Sequence, residues 1–203
     1  MANHVHFAVE FHQMNDAAKE KLNELYSRIR TDDTYRWFSD MFVDGEELSY
    51  EEAGNYSWTL NNIGPKWCYL EDYDEDGFSG EAAWSAPEQG LEKLLEILEE
   101  YDPHIISSIT YEDEMPNFIG AYVYLGSDCH DGFEDEYDEL RDRVIAESET
   151  LTEESWNEDE EDWADEDAED TFRDEMWEVI SGAQYEIISE SVQQLRESLE
   201  EFS

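Results

Sequence analysis

Three groups of residues in this chain have types and spacings that could support chemistry, and the first is a run of aspartates. Asp72, Asp74 and Asp76 precede a glycine and match the opening of a calcium-binding loop, in which carboxylates and a sharp turn surround the ion. The twelfth position of such a loop must supply a bidentate glutamate, and here it is Ala83. We therefore interpret the segment as a solvated turn between two strands, with calcium binding as the alternative.

Histidines and cysteines form the second group. His4, His6 and His12 are separated by even numbers of residues. On a strand, their side chains could therefore point to the same side and bind a metal ion. The predicted hairpins offer no matching pair of ligands, and Cys68 and Cys129 lack a zinc-binding spacing. We predict no metal, no cofactor and two reduced cysteines.

Carboxyl groups form the third and largest group. The 203 residues include 57 Asp plus Glu against 11 Lys plus Arg, a formal net charge of −46. A pair of carboxylates suited to acid and base catalysis cannot be singled out among so many. The sequence also has no nucleophile-elbow serine motif and no glycine-rich phosphate loop. We predict that the protein is not an enzyme.

A charge of this size excludes proteins that wrap nucleic acid or lie on anionic membranes, since both would repel the chain. The charge favours a basic partner.

The acids are concentrated toward the C-terminus, where residues 126–203 hold 30 of the 57 and residues 153–170 contain 12. The predicted partner-binding residues are these 12: Glu153, Glu154, Glu158, Asp159, Glu160, Glu161, Asp162, Asp165, Glu166, Asp167, Glu169 and Asp170. Trp156 and Trp163, seven residues apart, are predicted to share one face of a helix and to pack on the core or insert into a partner.

A folded core is nevertheless expected, because 39% of the residues are hydrophobic and 14% are aromatic. No apolar run is long enough for a membrane span, and the first residues lack the pattern of a signal peptide. We expect a cytoplasmic protein.

Hydrophobic periodicity indicates the elements that would position these groups. Val5, Phe7 and Val9 alternate with polar residues, which predicts a strand with one buried face. The predicted elements then follow in this order: a helix from Asn15 or Asp16 to about Arg30, short elements in 31–63, a hairpin in 66–86, a leucine-striped helix after Pro87, and a strand pair in 104–126.

This order predicts an α+β fold, with a ferredoxin-like antiparallel sheet and two helices in residues 1–126. Residues 127–203 are predicted to form an acidic helical extension that packs on this domain or projects from it. One helix would include Phe133 and Ile145, and a second of roughly 30 residues, about 45 Å long, would run toward Phe202. Gly182 is a point where the second helix could kink.

Three short motifs resemble a known family. The segments GPKWC at 64–68, AWSAP at 83–87 before a helix, and YE at 111–112 with FIGAY at 118–122 have the order found in YubB-like ferredoxin-like proteins of phages and plasmids. The resemblance covers about residues 60–126 and implies a ferredoxin-like fold and a mobile-element or viral origin. It implies no activity and transfers no catalytic residue. The family's usual N-terminal Trp-Cys motif is absent here, and the acidic C-terminal third looks like an addition.

These observations lead to the hypothesis of a phage-encoded DNA mimic. A helix would hold carboxylates in rows, and these rows would occupy the DNA-binding surface of a basic host protein, such as a restriction or other defence nuclease or RNA polymerase. The net charge equals that of about 78 Å of DNA duplex. The alternatives are adaptation to molar salt and an acidic, non-catalytic interaction or chaperone module. A homodimer would lengthen the anionic surface and is left open by the sequence.

Overall fold

The computed structural model describes residues 3–31, 34–114, 117–157 and 162–201. Its strands are β1 (His4–Gln13), β2 (Arg36–Trp37), β3 (Cys68–Tyr73), β4 (Gly77–Ala83), β5 (Ile106–Asp113), β6 (Phe118–Leu125), β7 (Asp128–Glu136), β8 (Trp156–Asn157) and β9 (Asp162–Trp163). Its α-helices are α1 (Asp16–Tyr26), α2 (Tyr50–Ala53), α3 (Tyr56–Asn62), α4 (Glu88–Glu99), α5 (Tyr137–Glu147) and α6 (Glu166–Glu201). Two 3₁₀ helices, Phe38–Phe42 and Glu153–Ser155, complete the regular structure of these ranges.

Seven strands form one antiparallel sheet in the order β2-β3-β4-β1-β5-β6-β7. Strand β1 lies at its centre, with Phe7 opposite Gly80 of β4 on one side and Tyr111 of β5 on the other. Helix α1 follows β1 and helix α4 follows β4, so β1, β3, β4 and β5 have a β-α-β-β-α-β connectivity.

The predicted α+β class, antiparallel sheet and long C-terminal helix are therefore confirmed. The prediction of a ferredoxin-like sheet with only two helices in residues 1–126 is too simple. Strands β2 and β7 widen the sheet beyond the predicted strands, and the described part of residues 1–126 has four α-helices, α1 to α4, where two were predicted. Residue 126, the predicted domain boundary, lies in the turn between β6 and β7, two strands that pair along their length.

Helices α1 and α4 cover the first face of the sheet. The predicted alternation of β1 is confirmed, because Val5, Phe7 and Val9 are all buried in the core below these helices. In α4 the leucine stripe is buried as well, through Leu91, Leu94, Leu95 and Leu98. Asn15 begins α1 by accepting a hydrogen bond from the backbone N–H of Ala18 at 2.9 Å.

Helices α5 and α6 cover the second face, over β5, β6 and β7. Val192 and Leu195 of α6 pack on Ile106 and Val123 of the sheet. The buried side-chain amide of Gln184 donates to the backbone carbonyl of Gly120 at 3.1 Å. On the same face of β1, His6 and Glu10 stay exposed. The second face is therefore covered over β5, β6 and β7 and open at the central strand β1.

Two expectations for the C-terminal third need correction. Phe133 lies in strand β7 and not in a helix, since helix α5 begins only at Tyr137. Helix α6 runs for 36 residues without a break at Gly182, and Phe202 lies outside the described residues.

Both cysteines are free, Cys68 buried and Cys129 exposed. In the described ranges no helix combines the length and apolarity needed to cross a bilayer.

Candidate functional site

The two tryptophans of the acidic run do not lie on a helix, contrary to the prediction. Trp156 of β8 pairs directly with Trp163 of β9 in a two-stranded ribbon, and their rings meet edge to face at 5.3 Å. Trp163 also contacts the Phe172 ring of α6 at 4.7 Å, and Trp156 contacts Tyr137 of α5. A spacing of seven residues suits a helix and also suits two strand residues placed opposite each other across a loop, and here the second arrangement forms. Trp156 therefore packs against α5 and Trp163 against α6.

The predicted partner-binding acids therefore lie in several kinds of structure. Glu166, Asp167, Glu169 and Asp170 are exposed in the first turns of α6. Asp165 precedes this helix, and its carboxylate accepts from the N–H of Ala168 at 2.9 Å, which caps the helix. Glu154 is exposed in the second 3₁₀ helix, which Glu153 begins, and Asp162 pairs with Asn157 in the ribbon. Glu158, Asp159, Glu160 and Glu161 lie outside the described residues.

Helix α6 carries a longer array of carboxylates than the sequence analysis selected. Exposed acids recur every four residues, with Gly182 in the single gap, and we call them the carboxylate ladder: Glu166, Asp170, Asp174, Glu178, Glu186 and Glu190. Each step of four residues is about 6 Å along the helix axis. Other exposed acids flank the ladder, among them Asp167, Glu169, Glu197 and Glu200. The signal was present in the sequence as the spacing of acids between the apolar positions of this helix.

The lysines and arginines are engaged locally and leave most of this charge uncompensated. Helix α6 contains two arginines, of which Arg173 binds Glu169 at 2.6 Å and Asp170 at 3.0 Å. Arg196 donates instead to the backbone carbonyl of His12 at 2.6 Å. Like charges four residues apart repel each other by a few tenths of a kcal/mol per pair. The ladder thus lowers the stability of the helix that displays it.

The aspartate run begins in the last residues of β3 and continues into a hairpin turn, as predicted. The carboxylate of Asp74 accepts hydrogen bonds from the backbone N–H groups of Asp76 at 2.8 Å and Gly77 at 3.2 Å, which closes the turn. Among the described residues, no group of three His, Cys, Asp or Glu side chains is placed to hold a metal ion.

Two of the N-terminal histidines contact one carboxylate on the open part of the second face. Glu81 lies 3.2 Å from Nδ1 of His4 and 3.7 Å from Nδ1 of His6. It also accepts a hydrogen bond from the Tyr69 hydroxyl, which lowers the pKa of Glu81. The Tyr69 ring stacks on Trp67 at 5.6 Å. This end of the face is therefore aromatic as well as polar.

A pair of glutamates that the sequence could not single out lies at the β7 end of the first face. The Tyr111 hydroxyl donates to Glu134 at 2.5 Å, and Glu88 at the start of α4 lines the same cleft of about 450 Å³ as Glu134. Burial, followed by the charge of Glu134, raises the pKa of Glu88 to about 7. A carboxyl group of this kind exchanges a proton near neutral pH. The two residues are 46 positions apart, so only the folded chain brings them together.

Trp84 forms part of the wall of this cleft in an uncommon backbone conformation. Its φ is +75°, a value that non-glycine residues rarely adopt, and its side chain is 49% exposed. The Lys66 ammonium lies 4.7 Å from the centre of its ring. The unusual φ turns the chain between β4 and α4, within the AWSAP motif.

A groove runs between α6 and the uncovered strand β1. It encloses about 650 Å³, with α6 residues 181–200 on one side and residues of β1 and β5 as its floor. His12 in the floor shares a 2.8 Å hydrogen bond with the Ser108 hydroxyl, and burial lowers the pKa of His12. We call this the α6–β1 groove. Local sequence patterns could not predict this groove, because its two sides lie about 180 residues apart.

Comparison with known proteins adds no relative. No protein-family model, no curated protein and no solved structure matches the chain.

Proposed function

We propose that this protein is a non-catalytic DNA mimic that occupies the DNA-binding surface of a basic host protein, such as a defence nuclease or RNA polymerase. The observation that carries the proposal is the carboxylate ladder on α6, a series of exposed acids that extends about 36 Å along the helix axis from Glu166 to Glu190 and winds part of the way round the helix. One strand of DNA has a phosphate for about every 3.4 Å of axis, against about 6 Å for each step of the ladder. The flanking acids of α6 add charges between the steps of the ladder. They bring the spacing of negative charges along the helix closer to the spacing of phosphates along DNA.

The energetics of the ladder support the proposal. Neighbouring carboxylates destabilise α6, and a basic groove would relieve this repulsion while both partners release condensed counterions. We further propose that the chain is a phage or plasmid protein of the YubB-like, ferredoxin-like type that acts in the host cytoplasm. Dimerisation would join two ladders into a longer anionic surface.

Competition with DNA tests the proposal. The protein should displace a fluorescent duplex of about 25 base pairs from a target nuclease or polymerase, and displacement should weaken steeply with salt. Neutralising the middle of the ladder with Asp174→Asn, Glu178→Gln and Glu186→Gln should weaken displacement by about tenfold.

The matched control neutralises three exposed acids that recur every four residues along α4 and at the residue that follows it, through Glu92→Gln, Glu96→Gln and Glu100→Gln. It removes the same charge and should weaken displacement much less. Equal losses in the two triple variants would show that net charge acts without the ladder. Absence of displacement from every basic DNA-binding protein at low salt would contradict the proposal.

Adaptation to molar salt is a second candidate, favoured by acids on other elements. Exposed carboxylates also lie on α1, at Asp16 and Glu20, and in the segment before α2, at Glu46 and Glu47. Such an acid shell would need concentrated cations to stay folded, whereas a DNA mimic must fold at the salt concentration where its target binds DNA. A thermal melt across potassium chloride concentrations separates the two functions.

A further inference from the structure

The α6–β1 groove has an apolar interior and an acidic rim. Ala8 of β1 and Ile188 and Val192 of α6 line it, together with Tyr185, whose side chain is 75% exposed. An aromatic side chain left this accessible beside aliphatic neighbours is typical of a surface that a partner covers. The groove therefore offers apolar contact area next to the carboxylate ladder.

The charges around the groove determine which partner fits it. Glu10, Glu197 and Glu200 line it, and all three are exposed. Arg196 is the cation among the lining residues, and its guanidinium donates to the His12 carbonyl in the floor. Burial lowers the pKa of His12, so that its ring adds no positive charge near neutral pH. A guest with lysines or arginines beside its apolar side chains matches this rim.

The floor of the groove determines the backbone conformation of the guest. Strand β1 is paired with β4 on one side and with β5 on the other, so its backbone groups are already hydrogen-bonded. A guest in extended conformation would find no free strand edge and would leave its own backbone groups unpaired. A helix satisfies its backbone groups internally and can insert side chains from one face.

From these observations we infer that the α6–β1 groove binds a basic amphipathic helix of the target protein, with the apolar face of that helix on Tyr185 and Ile188 and its cations on the acidic rim. The inference rests on the proposed function and names the chemistry of the partner segment. It explains how the protein would select one basic target, because the ladder alone attracts any cationic surface.

Two synthetic peptides of about 15 residues with identical composition test the inference. In the first, leucines recur at i, i+3, i+4 and i+7 among lysines and alanines, which gives one apolar face. In the second, the same residues are ordered so that no apolar face forms. Fluorescence anisotropy should show that the first peptide binds at least about tenfold tighter, and this preference should persist at about 0.5 M salt, where charge attraction is screened.

Tyr185→Ser and, separately, Ile188→Ser should remove most of this preference while binding of the second peptide stays unchanged. The control is Tyr56→Ser, which removes another exposed tyrosine in α3, an element that does not line the groove, and should leave both affinities unchanged. Thermal melts of each variant identify any loss of fold. Because Tyr185 is so exposed, its variant should keep the wild-type melting temperature.

The outcomes separate the groove from the ladder. Equal binding of both peptides, or a preference that survives in the Tyr185 and Ile188 variants, would overturn the groove inference and leave the DNA-mimic proposal standing. Failure of both peptides to bind at low salt, together with failure to displace DNA, would overturn both.

Discussion

The carboxyl group of Glu88 lies in a cleft beside Tyr111 and Glu134, and burial has the largest effect on its proton affinity. In the unfolded chain this group would have its ordinary pKa of 4.5, whereas the folded chain raises it to about 7. Between these two values the folded chain holds a proton that the unfolded chain has released. The free energy of unfolding contributed by Glu88 therefore falls as the pH rises from about 4.5 to about 7.

The substitution Glu88→Gln should abolish this contribution. Relative to wild type, the variant should be more stable at pH 8 by about 1 to 3 kcal/mol and show little difference at pH 4.5. Urea unfolding of both proteins at the two pH values measures the effect. Glu96→Gln, on the exposed side of the same helix and not among the groups that raise the pKa of Glu88, is the control and should follow wild type at both. A difference for Glu88→Gln that does not depend on pH would show that the residue does not titrate in this way.

Single residues of the candidate site were the least predictable part of the molecule. Glu88 and Glu134 could not be recognised because 57 acids give no contrast, and their proximity depends on the pairing of distant elements. The acids at 166, 167, 169 and 170 could be predicted as an exposed cluster because no apolar residue would cover them. Glu186 and Glu190 follow the same spacing but were missed, because the local density of acids is lower there.

At the scale of elements, strong periodicity gave correct predictions. The alternation of β1, the leucines of α4 and the Asp-Gly turn before β4 each indicated the element that forms. Strand β7 was missed because its sequence, DCHDGFEDE, has one large apolar residue and no alternation. It is an edge strand, and charged side chains on such a strand discourage pairing with another chain. The acidic residues that protect this edge strand from pairing with another chain therefore also remove the apolar alternation by which a strand is recognised in the sequence.

Gly182 provides a test at the scale of helix α6. A Cβ added at this exposed position would meet no atom within 4 Å, and glycine inside a helix costs about 1 kcal/mol relative to alanine. Gly182→Ala should therefore raise the free energy of unfolding by about 0.5 to 1 kcal/mol, measured by chemical denaturation. The substitution adds no charge at the gap in the ladder, so the displacement of DNA should stay unchanged.

Gly90 in α4 is the matched comparison. A Cβ there would lie 2.7 Å from Cε1 of Phe38 and 3.0 Å from Cγ2 of Ile63, inside the core of the first face. Gly90→Ala should destabilise the fold by about 1 to 3 kcal/mol. If Gly182→Ala also destabilised, α6 would bend or make another contact at that position in solution.

At the scale of the whole molecule, the net charge of −46 opposes compaction, while the aromatic and aliphatic core on both faces of the sheet favours it. Each of the eleven cations already contacts a carboxylate, a carbonyl oxygen or an aromatic ring. Screening by added salt is therefore the main relief open to the isolated protein.

The melting temperature should consequently rise with potassium chloride. For a DNA mimic, the fold should already be cooperative at about 0.1 M salt, with a gain of several degrees by about 1 M. The ladder triple variant should show a smaller gain than wild type, since part of its repulsion is already removed. Far-UV circular dichroism measures both curves. An unfolded chain at about 0.1 M salt would favour salt adaptation over the DNA mimic.

The central position of β1 has a consequence for how the chain acquires its structure during synthesis. Glu10 pairs with Gly77 of β4 and His6 pairs with Glu112 of β5, so β1 has no neighbour until β4 has been made and lacks its second neighbour until β5 has been made. Such late long-range pairing slows folding and leaves an apolar strand open to aggregation. Two nascent chains that are both this acidic repel each other throughout that delay. The charge thus acts as the chain's own protection against aggregation before any partner is met.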